Sequence, residues 1–171
     1  MKKSGFVSFM VALFIATLIE SAWTQNRSIT DQLLGTWMLV SVISEADDGN
    51  KSEPFGSNPK GMIMFSSEGH FSLFQSKAEI PGIAANDRAK ATPEEARAIV
   101  ASAIAYYGTY SVSEADKTIL VKVNASTFAN VAGGAEQKRI ITSLTADELK
   151  FTNPRTPAGV TLRTTWKRAP P

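Results

Sequence analysis

The chain carries a single histidine, His70, and no cysteine. Thiol nucleophiles, disulfides and a lipidated cysteine are thereby excluded, and only scattered acids are left from which to build a metal site, too sparse for ligand spacing. His70 follows the turn Ser66-Ser67-Glu68-Gly69 at the start of a strand, where an imidazole is solvated rather than held as a general base. Ser66-Ser67 lacks the glycine-flanked elbow of a nucleophilic serine, and no glycine-rich phosphate loop follows a strand. Gly133-Gly134 reads as loop backbone freedom. Glu94-Glu95 falls in the first turn of a predicted helix, where negative charge complements the helix dipole. No catalytic residue, metal ligand or cofactor site is assigned from these residues.

Aromatic and basic residues carry more. Gly35-Thr36-Trp37 opens the first strand-like run, and Arg163, Trp166 and Arg168 lie on the last one. A small residue and a tryptophan at the start of a strand, with a cation on the closing strand, is what a closed antiparallel barrel needs to plug its base, guanidinium against indole. Gly35, Trp37, Arg163 and Trp166 are the predicted base, with Arg168 as the other candidate cation. Phe65, Phe71, Tyr106, Tyr110, Phe128 and Arg139 are the predicted ligand-binding set. Such side chains either line a cavity or fill the barrel as core, and both readings stand at this level.

The elements that position these residues are strands. Leu34 to Ser44 is rich in β-branched and aromatic residues and closes at Asp47-Asp48-Gly49-Asn50. Residues 51–60 contain Pro54, Gly56, Asn58 and Pro59 and read as a loop. Gly61 to Phe65 and His70 to Gln75 flank a turn and read as a hairpin. Thr92-Pro93-Glu94-Glu95 supplies a cap, a proline at the first helical position and first-turn acids. Ala96, Ile99, Val100, Ala103 and Ile104 continue at helical spacing, predicting one helix of about 12 residues whose apolar face packs on the barrel. Tyr106 to Ser113, Thr118 to Val123, Glu136 to Leu144, Glu148 to Thr152 and Val160 to Arg168 return to strands with short turns. Ile119, Val121 and Val123 share one face of their strand, and Tyr106, Tyr110 and Val112 share one face of theirs, with Gly108 between. The fold predicted is all-β: an eight-stranded up-and-down antiparallel barrel with one helix inserted between strands 3 and 4.

Residues 1–24 read as a secretory signal peptide, with Lys2 and Lys3 before an apolar run from Phe6 to Ile19. That run is about 14 residues, short of the roughly 20 a membrane span needs, so no integral membrane segment is expected after signal removal. Residues 25–171 then form one barrel domain of ordinary core size. The formal charge is +2 and falls to +1 without Lys2, Lys3 and Glu20. With no Lys/Arg block able to neutralise neighbouring phosphates, no nucleic-acid partner is expected. The expected location is periplasmic or secreted.

Several stretches together resemble the bacterial and fungal lipocalin-like domain family of small calycin-type barrels. These are Leu34-Gly35-Thr36-Trp37 with Leu39-Val40-Ser41, Glu53-Pro54-Phe55-Gly56 with Pro59-Lys60-Gly61, and Tyr106-Tyr107-Gly108-Thr109-Tyr110. Ser126, Phe128, Asn130, Gly133, Gln137 and Arg139 come next, then Thr165-Trp166-Lys167-Arg168. The resemblance implies a calycin barrel and, by analogy of fold, a binder of small hydrophobic molecules. Two departures stand out. The family pattern flanks the asparagine with a proline and an aromatic, where this chain has Ala129 and Val131, and often carries histidine where this chain has Val121 and Lys122. A function resting on those groups is not implied here.

Three function classes are open to such a chain. The first is an exported protein binding a small hydrophobic ligand in a barrel cavity. The alternatives are a barrel enzyme of isomerase or cyclase type, with Tyr106, Tyr110 or Arg139 polarising a carbonyl of an apolar substrate, and a protein-interaction module using rim loops 46–60 and 76–92, its partner unknown.

Overall fold

The computed structural model describes residues 27–170. The segment read as a signal peptide lies outside the described residues. The described residues form nine strands: β1 (Gly35–Glu45), β2 (Lys51–Ser52), β3 (Lys60–Phe65), β4 (His70–Ser76), β5 (Ala103–Ser113), β6 (Thr118–Ser126), β7 (Gln137–Leu144), β8 (Glu148–Asn153) and β9 (Thr161–Arg168). Two helices, α1 (Ile29–Leu33) and α2 (Pro93–Val100), accompany them.

Consecutive strands from β3 to β9 pair antiparallel, and β1 closes the barrel by pairing β3 on one side and β9 on the other. Trp37 marks the junction, opposite Ile63 on β3 and Arg168 on β9. Closure leaves eight strands without a free edge, which blocks edge-to-edge association. The ninth, β2, is a two-residue ladder of Lys51 and Ser52 on Glu45 and Ser44. It arises in the segment expected to be an unstructured loop, because the turn Ala46–Asn50 folds the chain back on β1. The inserted helix therefore follows β4 rather than a third strand.

The helix also differs from expectation in length and packing. Thr92 accepts from Glu95 N and the Glu95 carboxylate accepts from Thr92 N, a complete capping box that starts α2 as expected. However, α2 ends at Val100, and Ala103 and Ile104 belong to β5, paired with Ser76 and Gln75. None of its residues is buried, and Val100 is 72% exposed. The helix does not pack its apolar face into the core; Ile99 and Val100 lie at the barrel mouth instead.

Two kinds of connection define two ends. Residues 66–69, 114–117 and 145–147 make tight turns at one end, whereas 46–59, 77–102, 127–136 and 154–160 are the longer loops of the other. The core fills the tight-turn end, where Leu33, Trp37, Ile119, Leu149 and Trp166 are fully buried. Irregularities in the β1, β6 and β7 ladders bend those strands, as bulges do where a sheet must curl into a barrel. Gly108 sits where the β6 backbone leaves no room for a side chain: a Cβ there would lie 1.9 Å from the Lys122 carbonyl oxygen. Only glycine fits that crossing.

Candidate functional site

At the closed end stands α1, whose last residue, Leu33, is fully buried. Gly35 turns the chain into β1 with φ +104°, a conformation glycine adopts freely. The Trp37 indole donates to the Leu33 carbonyl at 2.8 Å. Above it the Arg168 guanidinium stacks 4.0 Å from the ring centroid and donates to the carbonyls of Leu34, Gln32 and Ala146.

Arg163, placed at the base by sequence, is not there. It pairs with Glu45 at 3.0 Å at the other end of the barrel, on the outer face. Strand alternation explains the difference, since Leu162, Thr164, Trp166 and Arg168 share one face of β9 and Arg163 faces the other way. Trp166 is fully buried, stacked 6.1 Å from Phe151, with its indole donating to Thr164 Oγ1.

Three of the predicted ligand-binding residues are core. Phe65 and Phe71 are buried, Phe65 meets Tyr110 edge-on at 5.0 Å, and Phe71 meets Tyr106 at 5.9 Å. The Tyr110 hydroxyl donates to the Ser66 carbonyl at 2.9 Å in the base turn. Burial raises this phenol above its ordinary value, and the Glu68 carboxylate adds to the shift. Tyr110 is thus committed to the closed end and does not reach the hollow one.

The upper half encloses a cavity of about 800 Å³. Tyr106, Phe128 and Arg139 line it, as do Leu73, Phe151 and Leu162. Phe128 is 44% exposed and stands on the rim. Pro54 and Phe55 reach it from the β2–β3 loop, Arg88 and Ile99 from the loop carrying α2. A barrel filled below and hollow above thus combines the two alternatives open at the level of sequence.

One wall is polar. Arg139 is only 6% exposed. Its Nη2 donates to Gln137 Oε1 at 2.9 Å and its Nη1 to the Lys138 carbonyl at 3.1 Å. The β7–β8 ladder pairs Ile140 with Thr152, so the next step up sets Arg139 across from Asn153. Asn153 Oδ1 and Thr156 Oγ1 are buried without a hydrogen-bond partner among the described residues, and both residues line the cavity. Sequence reasoning missed Asn153 and Thr156 because residues 153–159, with two prolines, read only as a connection, although Asn153 is the last residue of β8. The available signal was alternation: Leu149, Phe151 and Asn153 share one face of β8, so the asparagine follows two inward-facing apolar residues.

Among the described residues no group of three or more His, Cys, Asp or Glu side chains is placed to hold a metal ion. No helix among them is long and apolar enough to cross a membrane.

Fold and site together define a calyx: a closed antiparallel barrel plugged at one end and hollow at the other. A lipocalin-like domain model matches residues 34–169, and the chain belongs to the lipocalin-like domain family. No curated protein matches it in sequence. Three solved structures are similar in outline. A de novo designed fluorescence-activating β-barrel is 11% identical, with 84% of this chain and 99% of that one covered and a TM-score of 0.42. A protein from Bacteroides uniformis is 14% identical, with 84% and 94% covered and a TM-score of 0.44. A redesigned β-barrel bound to DFHBI is 18% identical, with 83% and 100% covered and a TM-score of 0.40.

Proposed function

We propose that this protein is an exported binder that takes a small hydrophobic molecule into the upper half of its barrel. The observation that carries the reading is the cavity of about 800 Å³, walled by Leu73, Tyr106, Phe151 and Leu162 and closed below by a packed base. That volume lies within the range of small-molecule sites, and a largely apolar wall with few polar groups is their usual chemistry. Export to the periplasm or beyond rests on the apolar segment Phe6 to Ile19 behind Lys2 and Lys3.

The test is native mass spectrometry of the protein taken from its host's envelope fraction, compared with the denatured mass. An adduct released on denaturation, together with a mass lacking residues 1–24, is the expected result. A bare mass, with no uptake of added apolar ligands by the purified protein, would end the binding reading. A full-length mass in the cytoplasm would end the export reading.

A further inference from the structure

The chemical class of the ligand rests on the hydrophobic-binding reading, and the polar wall of the cavity deepens that reading. Among the described residues the ionisable side chains lining the cavity are Arg139, Arg88 and Tyr106, and none of them is a carboxylate. The ion pairs among the described residues are Lys90–Asp87, Lys150–Glu148 and Arg163–Glu45, so Arg139 is paired with none of the acids. A guanidinium has five N–H donors, and the bonds to Gln137 and Lys138 engage two of them. A buried cation without a counter-charge is costly, and burial makes its attraction for an anion stronger than it is in water.

Its neighbours are also unspent. The strand register sets Asn153 across from Arg139, and cross-strand neighbours on one face have Cβ atoms about 5 Å apart. Yet neither Asn153 Oδ1 nor Thr156 Oγ1, nearby in sequence, has a hydrogen-bond partner among the described residues. Buried polar groups in folded proteins are nearly all satisfied; of the groups left over in this wall, the Arg139 cation and the Thr156 hydroxyl can donate to an anion, whereas Asn153 Oδ1 only accepts.

The geometry points to an amphiphilic carboxylate as the ligand, its anionic group seated on Arg139, in the wall that also holds the Thr156 hydroxyl, and its apolar body along Phe151, Leu73 and Tyr106. A planar guanidinium matches a carboxylate in shape as well as charge. Further donors in this wall are the Thr156 hydroxyl and the Asn153 amide nitrogen, while Asn153 Oδ1 takes no bond from a carboxylate. Gln137 holds the guanidinium in place from the same strand face.

Isothermal titration with decanoate and decan-1-ol, probes that share a chain and differ in the headgroup, tests this. The full protein is expected to bind decanoate at least about tenfold more tightly, the equivalent of one charge-assisted hydrogen bond. Arg139→Gln is expected to abolish the preference while leaving decan-1-ol binding in place, which also reports that the variant is folded. Equal affinities in the wild type would overturn the carboxylate inference and leave the hydrophobic-binding reading intact. Binding of neither probe would count against both. A preference that survives in Arg139→Gln and disappears in Arg88→Gln would assign the anion to the rim and overturn the site. Should Arg139→Gln fail to fold, the exposed Arg88→Gln variant decides: an undiminished preference supports Arg139, and a lost one overturns it.

Discussion

The Arg168 guanidinium lies 4.0 Å from the Trp37 ring centroid while donating to the carbonyls of Leu34 and Gln32. One side chain from the last strand thus joins the first strand and the segment before it, closing the barrel where its two ends meet. Hydrogen bonds to charged groups contribute about 1.5–3 kcal/mol each and the stacked cation about 0.5–2 kcal/mol, not additively. Arg168→Ala is expected to lower the unfolding free energy by about 2–4 kcal/mol, with Arg168→Lys recovering only part because an ammonium lacks the planar fork. Arg163→Ala, which breaks only a surface pair with Glu45, is expected to cost under about 1 kcal/mol. Urea denaturation of the three variants measures this, and equal losses at the two positions would contradict the plug.

Phe71 separates core from ligand site. It is buried against Tyr106 below the cavity. Phe71→Ala is expected to destabilise by about 3–5 kcal/mol, as large-to-small changes in packed aromatic cores do. Phe128→Ala, on the rim, should alter ligand affinity with little loss of stability. Thermal melts paired with ligand titration distinguish the two; a Phe71 variant of normal stability and weakened binding would return that residue to the site.

Gly108 admits no side chain because a Cβ would meet the Lys122 carbonyl at 1.9 Å. Gly108→Ala forces β5 and β6 apart and is expected to prevent folding or to destabilise by more than about 3 kcal/mol, at the severe end for a single substitution. Gly82→Ala, with nothing within 4 Å, is the control and should be near neutral. Soluble yield and circular dichroism of the two variants suffice.

Glu114 ties the β5–β6 turn to α1. Its carboxylate accepts from Ile29 N at 2.9 Å and Thr30 N at 3.1 Å, and these bonds hold it below the usual carboxylate value. A carboxyl depressed in the folded state stabilises above its unfolded value, and that stabilisation fades as pH falls through the folded one. The stability difference between wild type and Glu114→Gln should therefore be present at pH 7 and shrink in the acid range below about pH 4. Urea unfolding across pH reads it; a difference that stays constant to low pH would show that the carboxylate charge plays no part.

Much of the barrel was legible because strand burial has a period of two. Ile119, Val121 and Val123 alternate as read, and Trp37 and Trp166 occupy the buried end. The same period also placed Arg168, not Arg163, on the face of Trp166, a distinction available in the sequence. The overlong helix had another cause. Ala103 and Ile104 fit helical spacing and a strand equally, and pairing with Ser76 and Gln75 decided for the strand. Local pattern cannot weigh a ladder bond to a residue far away in sequence.

What the sequence determined by itself was the alternating set of strands, the capping box that starts α2 and the tryptophan and cations available for the base, all consequences of local spacing. The tertiary structure alone decided how far up the barrel the side chains fill it. Phe65, Phe71 and Tyr110 meet at the closed end, while Arg139, Asn153 and Thr156 converge on the hollow one. Depth along a barrel axis depends on the register between strands, and register is fixed by the closed ring of pairings, which no single strand contains.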